Sequence, residues 1–96
     1  MKATYDLALV KGLIEDGSWI LRESARDTVT ELGFDDEDVR DCIVNHLEPS
    51  HFHKTMEAEK RPGLMQDVYY ITYEGKRLYV KLQVDGVVVV VSFKEQ

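Results

Sequence analysis

The chain has a single cysteine, Cys42, only two prolines and no long apolar run. A lone cysteine cannot close an internal disulfide, which fits a reducing compartment. No stretch of about 18 apolar residues is present to span a membrane, and Met1-Lys2-Ala3-Thr4-Tyr5-Asp6 lacks the apolar segment of a secretion signal. A cytoplasmic location is therefore expected. Positive charge is also scarce: 12 Lys and Arg against 18 Asp and Glu leave a net charge of -6. That balance argues against generic nucleic-acid binding, because phosphate contacts draw on Lys and Arg. The deficit is uneven, however. Residues 1–50 hold 5 basic and 12 acidic side chains, giving -7, whereas residues 51–96 hold 7 and 6, giving +1.

The 96 residues suffice for one small domain with a modest core and leave no room for a second. Residues 1–49 read as mainly helical. Leu7, Leu9, Val10, Leu13 and Ile14 fall at helical spacing between Asp6 and Asp16, and Gly17 supplies a stop. Trp19-Ile20-Leu21 is too short for a helix and suits a short edge strand. Ser24 to Leu32, ended by Gly33, predicts a second helix. Asp35-Asp36-Glu37-Asp38 precedes Val39, Cys42, Ile43, Val44 and Leu47. Clustered acids suit the positive end of a third helix better than they suit a metal or basic-partner site.

Residues 50–96 read as mainly sheet. Val68–Tyr73 and Lys76–Val84 are rich in aromatic and β-branched residues and are separated by Glu74-Gly75, while Val84 and Val87 flank Asp85-Gly86, a strong hairpin signal. Residues 58–65, interrupted by Pro62-Gly63, read as a charged loop. The valine run Val87–Val91 would be hazardous at an edge and is expected inside the sheet.

Taking Asp85-Gly86 as a two-residue turn pairs Val84 with Val87, Tyr79 with Ser92 and Arg77 with Lys94. Alternation then puts Leu78, Val80, Leu82, Val84, Val87, Val89, Val91 and Phe93 on a core face. The other face carries Arg77, Tyr79, Lys81, Gln83, Ser92 and Lys94, with Val88 and Val90, and Tyr79 and Lys94 become diagonal neighbours about 7–8 Å apart. Treating Glu74-Gly75 alike sets Tyr70 opposite Tyr79 and Thr72 opposite Arg77, with Gln66 farther down the same face. The result is a strip of Tyr70, Thr72, Arg77, Tyr79, Lys81, Ser92 and Lys94. A cationic strip with tyrosines suits single-stranded RNA, whose bases stack on rings while its phosphates meet ammonium and guanidinium groups. It equally suits an ordinary solvated sheet face.

Four blocks, Phe52-x-Lys54-x-Met56, Gln66-Asp67-Val68-Tyr69, Tyr79-x-Lys81 and Ser92-Phe93-Lys94, make the chain resemble the motility quorum-sensing regulator (MqsR) toxins, whose fold is RelE-like. The resemblance implies an α+β fold, with an antiparallel carboxy-terminal sheet of about four strands on about three amino-terminal helices. It also implies an endoribonuclease toxin of a type II toxin-antitoxin system that cuts messenger RNA at GCU-like sites without a metal. Carried over position by position, its catalytic residues are Lys54, Gln66, Tyr79 and Lys94. Arg77, Lys81, Tyr70, Ser92 and His53 are the accompanying RNA-binding candidates. The implied partner is an MqsA-like antitoxin, a zinc-binding domain joined to a helix-turn-helix repressor, and the RNA is met free or on the ribosome. The alternative is a catalytically inactive binding module that keeps the partner surface.

Other candidates are weaker. His51-x-His53 and Cys42 with His46 have metal-compatible spacing, but zinc takes three or four convergent ligands, so no metal or cofactor is expected. His53 adjoins Lys54 and is either a proton-transfer aid or a surface histidine. Trp19 reads as a core or antitoxin-contact residue, and Cys42 as a small buried one. In a strictly alternating strand Lys54 would share a face with Phe52 and Met56, which sits badly with a polar site.

Overall fold

A computed structural model describes all residues 1–96. Three α-helices precede most of the sheet: α1 (Leu7–Glu15), α2 (Glu23–Glu31) and α3 (Asp36–Asp41), with strand β1 (Trp19–Leu21) between the first two. Four long strands follow: β2 (Phe52–Ala58), β3 (Arg61–Tyr73), β4 (Lys76–Asp85) and β5 (Val87–Glu95). The architecture is the expected α+β type: the four antiparallel strands are joined by the short edge strand β1, which pairs in parallel with β5. No helix is long and apolar enough to cross a membrane.

Side-chain caps set the helix starts. The Asp6 carboxylate accepts from the Ala8 N–H, and Asp35 and Asp38 form a reciprocal capping box at α3. These bonds satisfy amides that have no partner within the helix. Past α3 the chain widens into a π-helical turn at Cys42–His46. There Asp41 accepts from the Tyr73 hydroxyl and the Asn45 amide, both at 2.8 Å. The bond to Asn45, and then that to Tyr73, holds the Asp41 carboxyl below its ordinary range.

The sheet order is β1-β5-β4-β3-β2, so the valine-rich β5 lies inside it, as its composition demanded. The helices cover one face. There Leu78, Val80, Leu82, Val88, Val90 and Phe93 pack with Val10, Ile14, Val29, Val39 and Ile43 in one cluster. Phe93 is fully buried, and its truncation to alanine would cost about 3–5 kcal/mol. The Thr28 hydroxyl donates to the Phe93 carbonyl at 2.7 Å and fixes α2 over β5. Trp19 is half-buried against the core, and Cys42 is enclosed within it, where burial pushes the thiol up to about 12.

Two expectations need correction. Residues 58–65 are not a loop: the chain turns at Glu59-Lys60, Ala58 pairs with Arg61, and β3 already runs through Pro62 and Gly63. At Pro62 the strand has no β4 neighbour, since pairing with β4 begins at Asp67, so the missing proline N–H breaks no ladder there. The hairpin at Gly86 is also tighter than expected. Asp85 pairs with Val87, which moves Val88 and Val90 into the core and Val87, Val89 and Val91 to the opposite face. Gly86 alone makes the reversal, at φ 76°, a conformation that favours glycine.

Candidate active site on the open face of the sheet

Two bulges assemble the face turned away from the helices. In β2 the register shifts between Phe52 and Lys54, leaving His53 as the extra residue. Phe52 therefore pairs with Tyr69 on the core side, with the rings edge to face at 5.7 Å. Lys54 and Met56 pair with Val68 and Gln66 and so stay on the open face. The bulge removes the conflict that strict alternation would have forced on Lys54.

In β5 a second shift, between Lys81 and Leu82, makes Val91 the extra residue. Together with the tight turn it slides β5 by two positions from the expected register. Tyr79 consequently pairs directly with Lys94, not with Ser92, and Ser92 faces Lys81. A slide of two preserves the face, so the expected side chains remain together, and Tyr79 and Lys94 become direct neighbours. The Arg77 carbonyl accepts from the Gln96 N–H, so Arg77 lies one row beyond Lys94 instead of opposite it.

The strands thus present successive rows. One runs His53, Tyr70, Tyr79, Lys94: the His53 ring stacks on Tyr70 at 4.2 Å and 17°, Tyr70 and Tyr79 lie 6.0 Å apart, and the Lys94 ammonium is 5.1 Å from the Tyr79 ring centre. The next runs Lys54, Val68, Lys81, Ser92. Val68 is fully buried between the two lysines, whose aliphatic stems cover it while their ammonium groups stay wet. The third holds Met56, Gln66 and Gln83, where the Gln66 amide donates to the Gln83 carbonyl at 2.8 Å. Gln66 is therefore on the expected face, but it lies about four residues, roughly 13 Å, along the sheet from the Tyr79 row.

Charge and burial set the chemistry of these groups. Burial, then the neighbouring Lys94, pushes the Lys81 ammonium below the ordinary lysine value; Glu59 opposes this, and Arg22 and Lys54 add smaller like-charge contributions. Burial, then Tyr70, raises the Tyr79 phenol, which keeps it protonated at neutral pH. The face therefore sets the Tyr79 hydroxyl beside Lys94 and beside Lys81, an ammonium that releases its proton more readily than usual.

The rest of the Gln66–Tyr69 block is scaffold. Asp67 is only 1% exposed, and its two carboxylate oxygens accept from the Thr4 and Tyr5 amides at 2.9 Å each, tying the amino-terminal segment to the sheet. Of the histidines, His51 accepts from the Glu48 amide whereas His53 stacks on Tyr70, so the two serve different partners. Sequence reasoning missed Arg22, which follows β1 and borders the same cleft as Lys81, Gln66 and Gln83. It also named Gln83 only as a polar-face residue. Its place opposite Gln66 follows from the Glu74-Gly75 register, which was legible.

Two comparisons bear on this face. A family model described as motility quorum-sensing regulator, toxin of MqsA, matches residues 2–95. The mRNA interferase toxin MqsR of Escherichia coli (strain K12) is 33% identical over 90 residues, covering 94% of this chain and 91% of that protein.

Proposed function

The chain belongs to the motility quorum-sensing regulator toxin family, and on that premise we propose that it is an endoribonuclease toxin that cuts messenger RNA at GCU-like sites without a metal. Its partner is an MqsA-like, zinc-binding, helix-turn-helix antitoxin, and its place of action is the cytoplasm, on free or ribosome-bound RNA. The observation that carries the proposal is the packing of Lys81 among Lys94, Lys54 and Arg22 beside the protonated Tyr79.

In such a reaction the ribose 2'-hydroxyl attacks the adjoining phosphorus and the bond to the 5'-oxygen breaks, giving a 2',3'-cyclic phosphate and a 5'-hydroxyl. A base takes the 2' proton, an acid returns one to the departing 5'-oxygen, and cations hold the extra negative charge that gathers on the phosphorane. Lys81 is the base, since its lowered proton affinity leaves more of it neutral than an ordinary lysine. Tyr79 is the acid. Lys94 and Lys54 stabilise the phosphorane, and the His53–Tyr70 stack receives a base. Ser92 and Arg77 contact the flanking backbone, while Gln66 positions the RNA from the third row.

The test is to incubate the purified protein with a defined RNA and map the ends produced, alongside Tyr79→Phe and Lys94→Ala. Cleavage by the wild type that both variants abolish supports the proposal; RNA left intact at high protein concentration overturns it. The alternative is a catalytically inactive module acting through its antitoxin surface. Growth arrest on expression without any RNA cleavage would establish that one instead.

A further inference from the structure

Beside the catalytic rows the open face sinks into a cleft of about 410 Å³, within the roughly 300–1,000 Å³ span of small-molecule sites. Its composition is unlike the rest of this acidic chain. Arg22, Lys60, Arg61 and Lys81 border it against a single carboxylate, Glu59. Met56 and Val91 supply apolar walls, and the tight turn at Gly86 is what places Val91 on this face. Gln66 and Gln83 also line the cleft, although they are only 5% and 3% exposed.

Two nearly buried amides are an expensive way to fill a sheet face unless their polar groups are used. The bond between them at 2.8 Å employs one Gln66 proton and one lone pair of Gln83. That leaves the Gln66 carbonyl as an acceptor and the Gln83 amide as a donor. No enclosed side-chain polar atom in the protein lacks a partner, so both spare functions reach the cleft. Reversing both amides exchanges the roles and still leaves one donor and one acceptor. A donor beside an acceptor is what the edge of a nucleobase requires, and the mutual bond holds the two side by side.

We propose that this cleft is a nucleobase subsite, in which the Gln66–Gln83 pair reads the hydrogen-bonding edge of one RNA base held between Met56 and Val91. Arg22 at the rim receives the phosphate of that nucleotide. Gln83 lies two positions, roughly 7 Å, along β4 from Lys81, so the base belongs to a nucleotide adjoining the one cut. This deepens the nuclease proposal and rests on it.

The experiment maps cut sites on a random-sequence RNA pool for the wild type, Gln83→Leu and Val91→Phe, which fills the cleft. In the wild type one position adjoining the cut should favour its preferred bases about tenfold or more, the discrimination of a good paired contact. That preference should flatten at the single position in both variants while the other positions keep theirs. An unchanged pattern, or an even loss at every position, would overturn the subsite. Should the variants fail to fold, the wild type is titrated with an RNA carrying a 2'-deoxy block at the cut. Shifts in the Gln66 and Gln83 side-chain amide resonances support the subsite, and shifts confined to the Tyr79 and Lys94 amides refute it. RNA left wholly uncut and unbound refutes the nuclease function itself, whereas RNA cut without regard to Gln83 refutes only the subsite.

Discussion

Replacing Lys81 by methionine separates catalysis from stability, because the same placement that lowers the proton affinity of this ammonium opposes folding. Methionine keeps the length and the apolar stem over Val68 and removes the charge. If Lys81 takes the 2' proton, its loss should slow cleavage by about 10²–10⁴-fold, the usual contribution of a positioned base. Stability should move the other way. The folded-state value of Lys81 lies below its ordinary 10.5, chiefly through burial and then Lys94. Between the folded and unfolded values the unfolded chain holds a proton that the folded chain has released, so stability rises with pH across that window. Below the folded value the penalty is fully present, and the methionine variant escapes it. The variant should therefore melt higher at neutral pH, and its advantage should vanish as pH approaches 10.5. Lys81 is half-exposed and solvent screens its neighbours, so the gain stays below about 1 kcal/mol, a few degrees for a domain of this size. Cleavage of a fluorogenic RNA across neutral and alkaline pH, with thermal melts in the same buffers, measures both effects. Lys81→Arg decides the mechanism, since a guanidinium keeps the charge but cannot act as a base. An arginine variant cutting at the wild-type rate would refute the assignment.

Three further perturbations probe other parts of the face. Tyr79→Phe should lower the cleavage rate about 100-fold or more while shifting stability by less than about 0.5 kcal/mol, as single-turnover assays and melts would show. Asp67→Ala strands the Thr4 and Tyr5 amides and should cost about 2–3 kcal/mol in urea titration; a midpoint equal to the wild type would contradict the anchoring role. Deleting His53 should leave Phe52 opposite Tyr69 and Lys54 opposite Val68, because those pairs are already adjacent across the bulge. The deletion variant should therefore fold, yet bind RNA about 1 kcal/mol more weakly for want of the His53–Tyr70 stack; failure to fold would refute the register.

The parts legible in the sequence were those that local chemistry pins. Asp6 and the Asp35–Asp38 run start helices because a carboxylate meets free amides there. Glu74-Gly75 sets its hairpin pair for pair, as both residues adopt positive φ, at 50° and 75°. Val87–Val91 offers no alternation between apolar and polar residues, so nothing local distinguishes one register from the next. The bulge at Val91 and the tight turn at Gly86 are decided by packing against α2 and β1. For the same reason the Lys54 conflict could be seen but not solved from sequence. An extra residue at His53 costs the strand little and lets Phe52 reach the core while Lys54 faces outward.

The acidic balance of the chain is the wrong scale on which to judge an RNA site. Asp6, Asp35 and Asp38 cap helices, and Asp41 is bonded to Tyr73 and Asn45 on the helical side of the sheet. On the strands, Asp67 is committed to two backbone amides, and Asp85 meets Arg61 at 2.6 Å. What the open face presents between those carboxylates is Lys54, Lys81, Lys94 and Arg22, close enough for like charges to shift Lys81. Exposed charges farther apart than about 8–10 Å are largely screened at physiological salt. A phosphate in the site therefore meets the cationic rows almost undiminished by the helices behind them. The negative field acts at longer range, on the rate of encounter. An RNA enzyme of this charge should accordingly be slow to capture free RNA and effective once the strand is seated on the open face.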